Sequence, residues 1–117
     1  MIPKFRARDQ RGNWHIGLLT FMFGQYAIVN ESDENSVYLI DKETVGQSTG
    51  LKDKNGVEIF EGDIGWDDHQ EVHGQVIFEN GAFKYEWENI SEDLFEATDD
   101  IEIVGNIHEN PELLEGK

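Results

Sequence analysis

The sequence predicts an all-β fold, mainly β-strands with one or two short helical turns. Apolar residues alternate with polar ones in short runs, which is typical of strands. The turn-forming pairs Asn55-Gly56 and Asn80-Gly81 separate such runs. The 117 residues, 38% of them hydrophobic and 11% aromatic, are enough to bury roughly 65% of the unfolded surface. We expect an N-terminal β-meander over residues 1–45 and a small, partly open β-barrel over residues 46–117, with one core shared by both parts as the alternative.

The N-terminal part is defined by strand formers with turn residues between them. In the first strand, Phe5 and Ala7 share one face and three basic residues share the other. We expect a bend or an interruption of the second strand at Gly17. The predicted strands cover residues 4–8, 14–23, 26–29 and 37–40, with a turn at 9–12 and a polar, mobile loop at 30–36.

The most detailed local prediction is a hairpin over Gly74–Trp87. If Asn80-Gly81 forms a two-residue type I′ turn, Glu79 pairs with Ala82 and the register of both strands is fixed. Because side chains alternate along a strand, one face then carries the large apolar residues and the other is mostly polar. The apolar face consists of Val76, Phe78, Phe83, Tyr85 and Trp87. This pattern predicts a sheet with a core side and a solvent side.

Weaker signals define the remaining C-terminal elements. Asn55-Gly56 predicts a tight hairpin turn, and a strand from Val57 to Phe60 follows it. Ser91–Ala97 is typical of a short helix with Ser91 as its cap. Residues 101–107 are strand-like, and Asn110-Pro111 predicts a capped helical turn.

The charge is strongly negative and unevenly distributed. The net charge is −16, yet residues 1–11 carry +3, and Tyr85–Gly116 contains eleven acidic residues without Lys or Arg. Such a surface repels phosphates, so direct binding of nucleic acid is not expected. Three interpretations stay open: the protein mimics the charge of DNA, its basic first strand pairs with the acidic surface of a neighbouring subunit, or the acidic surface only maintains solubility.

Composition also bears on localisation. The chain has no cysteine, which excludes disulfides and thiolate chemistry. The N-terminal residues MIPKFRARD lack the apolar run of a signal peptide. The longest apolar run, Leu18–Phe23, is too short to span a membrane. We therefore expect a cytoplasmic protein without membrane contact.

Two segments superficially resemble metal sites. His69 and His73 are four residues apart, near Asp67, Asp68 and Glu71, and on a helix they would share a face that can hold a metal. The segment is polar and lacks the apolar spacing of a helix, so we expect a solvated loop. The loop from Asp53 has its Gly and Glu at the wrong spacing for a calcium-binding EF-hand. We predict no metal and no cofactor.

No catalytic residues are predicted either. Ser48 and Thr49 have no nearby histidine, His15 and His108 are isolated, and glycine-rich phosphate loops are absent. Trp14, Trp66 and Trp87 are interpreted as anchors of a core or an interface. The edge strands of two small sheets need protection, which favours a homo-oligomer.

Three separated segments resemble the YopX-like family of bacteriophage and prophage proteins. They are Lys4–Asp9, the central Val45–Ile64 with the sequence VGQSTGLKDKNGVEIFEGDI, and the closing Val104–Leu113. The family usually has Trp where this chain has Arg8. The resemblance implies a mostly-β protein encoded by phage-derived genes, with a small SH3-like barrel in the C-terminal half and no catalytic residues.

Together these observations predict a phage- or prophage-derived accessory protein that is not an enzyme. It would act through protein–protein contacts as a homo-oligomer, with a host or phage protein as a further partner. The alternative is an acidic DNA mimic that inhibits a host DNA-binding or defence protein. The least favoured hypothesis is a metal-dependent enzyme that uses His69 and His73.

Overall fold

The all-β prediction is confirmed by the computed structural model, which describes residues 3–115. This part of the chain contains eleven strands, one four-residue helix and two 3₁₀ turns, and the paired strands are antiparallel. It divides into two compact units, Met1–Ser48 and Thr49–Lys117. The sequence-based domain boundary after residue 45 stays a prediction.

The first unit is built on a meander of antiparallel strands. Its strands follow the order β4-β3-β2-β1-β5, and β6 (Glu58–Phe60) completes the six-stranded sheet. The 3₁₀ turn Lys42–Thr44 leads into β5, whose first residues pair with β1. The strands are β1 (Phe5–Arg8), β2 (Trp14–Met22), β3 (Gln25–Asn30), β4 (Val37–Leu39) and β5 (Gly46–Lys52).

The face of β1 predicted to be apolar does form the core of the first unit. Ala7 is buried with Ile28 and Ile40, and Phe5 packs against this cluster. Of the bend or interruption predicted at Gly17, the interruption is wrong, because β2 is continuous, and the bend stays a prediction. A Cβ atom on Gly17 would lie 1.8 Å from the backbone oxygen of Val29. The glycine therefore permits close approach of β3.

The second unit continues from the later part of β5. A turn at 53–57 joins β5 to β6, and a five-stranded sheet of order β10-β9-β8-β7-β11 follows. This sheet is open, since no pairing joins β10 to β11 in the described residues. The elements are β6 (Glu58–Phe60), β7 (Asp63–Asp67), β8 (Val72–Glu79), β9 (Ala82–Trp87), β10 (Ile90–Asp93), α1 (Leu94–Ala97), β11 (Ile101–Asn106) and the 3₁₀ turn Pro111–Leu114.

The predicted hairpin over Gly74–Trp87 is confirmed in register. Glu79 pairs with Ala82, and Asn80 and Gly81 both have positive φ, as a type I′ turn requires. The predicted core face holds for the end of the hairpin away from the turn, where Val76, Tyr85 and Trp87 are buried with Ile59, Leu94, Ala97 and Ile101. It is wrong at the turn end, where Phe78 is 51% exposed.

Two local predictions near the C-terminus need correction. Ser91 does not cap a helix but lies in β10, and the helix begins only at Leu94. Asn110 does precede the 3₁₀ turn, yet its side chain makes no capping bond and instead accepts from the backbone amide of Asn106 at 3.2 Å. None of the helices among residues 3–115 is long and apolar enough to cross a membrane.

Candidate interaction surface

The turn between β2 and β3 exposes an aromatic side chain in a disfavoured backbone conformation. Met22 pairs with Gln25, so the two-residue turn consists of Phe23 (φ 53°) and Gly24 (φ 76°). Positive φ is strained for bulky residues and costs roughly 1–2 kcal/mol. The side chain of Phe23 is also 93% exposed. Neither the turn nor the core of the unit requires phenylalanine at this position.

Two further aromatic residues lie directly beneath this turn. Phe21 and Tyr26 are cross-strand partners, and their rings meet edge to face with centroids 5.0 Å apart. Both are exposed. We call Phe21, Phe23 and Tyr26 the aromatic tip.

The neighbouring edge strand adds exposed aliphatic side chains. In β4, Val37 is 41% exposed and Leu39 is 47% exposed. Val37 pairs with Val29, which pairs with the exposed Leu18. These paired residues share one face of the sheet. The aromatic tip and this aliphatic row place six exposed large apolar residues on three adjacent strands and the turn between two of them, with Phe21 and Tyr26 on the sheet face opposite to the aliphatic row. In the second unit, the exposed large apolar residues lie on separate elements.

The two units differ greatly in charge. Residues 1–48 contain five basic and six acidic residues, for a net charge of −1, whereas residues 49–117 contain four basic and nineteen acidic residues, for a net charge of −15. The exposed apolar surface of β2, β3 and β4 therefore belongs to the nearly neutral unit.

The basic face of β1 is organised around one tryptophan. Arg8 pairs with Trp14, and the guanidinium carbons of Arg6 and Arg8 lie 5.1 Å and 5.7 Å from the centre of its ring. Cation–π contacts at such distances contribute roughly 0.5–1 kcal/mol at exposed sites. Trp14 is half-buried, which agrees with its interpretation as an anchor.

His15 lies in β2, as expected of a strand histidine, but it is not isolated. Its Nε2 lies 2.9 Å from Oδ2 of Asp9, and its ring stacks on Tyr38 with centroids 3.8 Å apart. Asp9 also accepts from the backbone amides of Arg11 and Asn13. The His15 contact and these hydrogen bonds hold the pKa of the Asp9 carboxyl well below its usual range. Asp9 thus fixes both the turn after β1 and the position of His15.

The central family segment serves the fold of the second unit. Asp53 accepts from the backbone amide of Val57 at 2.9 Å through one carboxylate oxygen and from that of Ile103 at 2.8 Å through the other. Thr49 donates its hydroxyl to the backbone oxygen of Ile59 at 2.8 Å. The buried Asp63 accepts from the amide of Phe60 at 2.7 Å. The confirmed hairpin turn at Asn55-Gly56 is therefore connected to a strand 50 residues away.

The two candidate metal-binding histidines lie in different structural elements. His69 lies in the turn between β7 and β8, where its amide donates to Asp67 at 2.8 Å. The prediction of a solvated loop is wrong for His73, which is half-buried in β8 with its ring 4.7 Å from that of Trp66. No helix of the described chain places them on a common face. Among residues 3–115, no group of three or more histidines and carboxylates is arranged to hold a metal ion.

Acidic side chains crowd around the edge strand β10. Burial, together with the negative charges of Glu96, Asp100, Asp67 and Asp93, raises the pKa of Glu92. Lys84 bridges to Asp93 at 2.8 Å. Burial and the neighbouring carboxylates thus both disfavour the ionised form of Glu92.

Comparisons with known proteins agree with this architecture. The family model described as YopX protein matches residues 4–115. The crystal structure of protein EF1440 from Enterococcus faecalis is similar, with 32% sequence identity, a TM-score of 0.68, and coverage of 98% of this chain and 99% of that chain. None of the curated proteins matches the chain. A family match over nearly the whole length and a shared fold at this identity lead to one conclusion: the chain belongs to the YopX protein family.

Proposed function

We propose that this protein is a phage- or prophage-encoded accessory protein that acts through protein–protein contacts, self-associates through its first unit and catalyses no reaction. The observation that carries the proposal is Phe23, an aromatic residue 93% exposed at a strained turn position. The phage origin is inferred from membership of the YopX family and is tested by the genes that flank its own.

Phe23 is unfavourable in the isolated chain for two independent reasons. Asparagine or glycine would form the same type of turn with less strain. An exposed phenyl ring also gains nothing from the hydrophobic effect until a partner covers it. Backbone outliers at exposed sites support a functional hypothesis, and aromatic residues are typical anchors of protein interfaces. We therefore assign the aromatic tip to an interface.

The charge distribution favours a second copy of the chain as the partner. A contact between two first units brings together surfaces whose net charge is −1 each. A contact between two second units would oppose −15 and −15, which is strongly unfavourable at physiological ionic strength. Burial of three aromatic residues from each copy supplies the apolar core that a stable interface requires.

The non-catalytic part of the proposal is supported by what the polar residues do. Thr49, Asp53 and Asp63 bond to the backbone, and Asp9 and His15 fix a turn. Their hydrogen bonds are thus explained by the fold, without a substrate.

Sedimentation equilibrium over a range of protein concentrations tests the proposal. We expect Phe23→Asn to weaken self-association at least ~10-fold while the turn is retained, because asparagine tolerates positive φ. Phe95→Asn, which removes an exposed aromatic ring from α1 of the second unit, is the matched control and should have no effect. Since the contact is apolar, about 0.5 M NaCl should not weaken it.

A wild-type chain that stays monomeric at millimolar concentration would contradict the proposed self-association. Equal weakening by Phe95→Asn would remove the aromatic tip from the interface. Strong weakening by salt would replace the apolar contact with pairing between basic and acidic surfaces.

The second candidate function, a DNA mimic, is favoured by the carboxylates that crowd around Glu92. In this hypothesis the second unit occupies the basic surface of a host DNA-binding or defence protein. A basic protein recovered from a host lysate, released by salt and displaced by duplex DNA, would support it. Recovery that is unchanged by the double substitution Glu96→Gln and Asp100→Asn would contradict it.

A further inference from the structure

We propose that two copies of the chain join their β4 strands in an antiparallel pair around a two-fold axis at Tyr38. This inference rests on the proposed self-association and assigns it a second contact, separate from that of the aromatic tips, because antiparallel pairing of β4 places the two tips at opposite ends of the joined sheet. It names the strand, the register and the hydrogen bonds that connect the copies.

The inner side of β4 is fully used by β3. The backbone amide of Asn30 donates to the oxygen of Ser36 at 2.9 Å, and the amide of Ile40 donates to the oxygen of Tyr26 at 3.1 Å. Because hydrogen-bonding direction alternates along a strand, Ser36, Tyr38 and Ile40 direct their backbone groups toward β3. The backbone N–H and C=O groups of Val37 and Leu39 therefore face the opposite side, where no strand of the described chain pairs with β4.

The open side of β4 is accessible. A groove of about 430 Å³ separates this strand from the turn after β1 and is lined on one side by Val37, Tyr38 and Leu39 and on the other by residues 9–11, 13 and 15. The stacked ring of His15, held by Asp9, fixes the side chain of Tyr38 at this wall. The backbone of the strand is thus presented next to open space.

The backbone groups of β4 are complementary to themselves. When a second β4 approaches antiparallel with the two Tyr38 residues opposite each other, Val37 faces the partner's Leu39 and Leu39 faces the partner's Val37. Both are hydrogen-bonded pairs, which gives about four backbone hydrogen bonds across the axis. Shifting the pairing by two residues in either direction leaves Val37 or Leu39 without its counterpart.

Side chains favour the same arrangement. Val37 and Leu39 share the sheet face of Val29 and Leu18. The aliphatic row of one copy therefore continues into the aliphatic row of the other. β4 contains no charged residue and no proline, the devices that normally protect an edge. The two edge strands of the second sheet do carry charges, Glu92 and Asp93 in β10 and Glu102 in β11.

Disulfide trapping tests the register directly, because the chain has no native cysteine. Residues opposite each other in a non-hydrogen-bonded pair have Cα atoms about 4.5 Å apart, which is within disulfide range. We expect Tyr38→Cys to form a covalent dimer under mild oxidation. The control Glu34→Cys, in the exposed loop before β4, should remain mostly uncoupled.

A charge-reversal pair keeps the test decisive if Tyr38→Cys perturbs folding. The double variant V37K/L39K places like charges opposite each other at both pairs, which is destabilising across strands, and should weaken association at least ~10-fold. The double variant V37K/L39E places a lysine at position 37 opposite a glutamate at position 39 of the other copy. It should recover most of the association that V37K/L39K loses. Recovery occurs only if position 37 of one copy faces position 39 of the other.

The outcomes separate this inference from the proposal beneath it. One set of outcomes would refute the β4 pairing and leave self-association standing. In that case the wild type self-associates and Phe23→Asn weakens the association, yet Tyr38→Cys does not cross-link and the two double variants associate equally. If the folded wild type is monomeric, both are wrong. Preferential cross-linking of Glu34→Cys would also overturn the register proposed for β4.

Discussion

The core of the second unit allows a quantitative test of how two strand glycines accommodate one tyrosine. Gly65 and Gly74 are cross-strand partners in β7 and β8, and the ring of Tyr85 lies against both. A Cβ atom on Gly65 would lie 2.9 Å from the hydroxyl oxygen of Tyr85 and 3.1 Å from its Cε1, whereas one on Gly74 would lie 2.4 Å from its Cζ. The hydroxyl is thus the nearest atom at Gly65, whereas at Gly74 two ring carbons, at 2.4 Å and 2.6 Å, clash as severely as the hydroxyl oxygen at 2.6 Å.

The hydroxyl of Tyr85 is also unfavourably placed. The residue is 2% exposed, and the hydroxyl has no partner with hydrogen-bond geometry among the described residues. Burial raises the pKa of Tyr85, and the nearby backbone amide of Gly74 opposes that shift only partly. An unsatisfied buried hydroxyl costs about 1–3 kcal/mol. Tyr85→Phe should therefore stabilise the protein by about 1 kcal/mol.

A double-mutant cycle combines these two features. Overpacking of a core costs about 1–3 kcal/mol, so we expect Gly65→Ala to lower the free energy of unfolding by about 2 kcal/mol. In the Tyr85→Phe background the contact at 2.9 Å is absent, and the cost should fall to about 1 kcal/mol. The resulting coupling of about 1 kcal/mol exceeds the roughly 0.3–0.5 kcal/mol scatter of independent sites.

Urea denaturation followed by tryptophan fluorescence measures the cycle. If the free energy of unfolding falls by about 2 kcal/mol per M of urea, the coupling corresponds to a shift of the unfolding midpoint of about 0.5 M. Gly74→Ala is the control, because its clash with the ring carbons at 2.4 Å and 2.6 Å should persist in the Tyr85→Phe background. Additive behaviour of Gly65→Ala and Tyr85→Phe would refute the packing argument, and destabilisation by Tyr85→Phe alone would show that the hydroxyl has a partner.

Three other substitutions test the remaining interactions. Burial opposes ionisation of Asp53, but backbone hydrogen bonds, among them the one from Ile103, outweigh burial and lower the pKa of this carboxyl. The stabilising contribution of ionised Asp53 is therefore present above the unfolded pKa and is lost as the pH falls through the folded pKa. Asp53→Asn should cost about 2 kcal/mol at about pH 7 and flatten the acid side of the stability curve, measured by urea titrations from about pH 7 to about pH 3. Glu92 has the opposite sign, because its raised pKa makes its ionised form destabilising. Glu92→Gln should raise the thermal midpoint at neutral pH, and this gain should shrink as the pH falls through the folded pKa and vanish below the unfolded pKa. Gly17→Ala should prevent native packing of the first unit, because its Cβ would lie 1.8 Å from the backbone oxygen of Val29; a native circular dichroism spectrum and an unchanged melting temperature would contradict this.

The elements that could be predicted from sequence are those whose turns carry a recognisable signal. Asn80-Gly81 identified both the type and the position of one turn, and the register of β8 and β9 followed from it. By contrast, the turn before β10 places Glu88 at a φ of 53°, and glutamate does not signal such a turn. Ser91 was therefore interpreted as a helix cap, although pairing of β10 with β9 makes it a strand residue.

The candidate surface was harder to predict because local patterns do not show what remains uncovered. Phe23 continues the apolar run of β2 in sequence, and only the turn geometry shows that it leaves the sheet. Likewise, the contact of His15 with Asp9 depends on the turn between β1 and β2. The bond from Ile103 to Asp53 spans 50 residues, a separation at which no local pattern identifies partners.

The same contrast separates residues that maintain the fold from those proposed to act. Gly65 and Asp53 lie where side chains and backbone are already satisfied or tightly packed, so substitutions there should change the free energy of unfolding without altering how copies associate. Phe23 contributes almost no buried area to its own chain, so its replacement by asparagine should leave stability unchanged or slightly higher while association weakens. A residue in a strained conformation that buries almost none of its side chain within its own fold is best explained by a contact with another molecule. Stability and association should therefore be separable by substitutions in the two units, and a Phe23→Asn variant that loses both together would show that the tip belongs to the core instead.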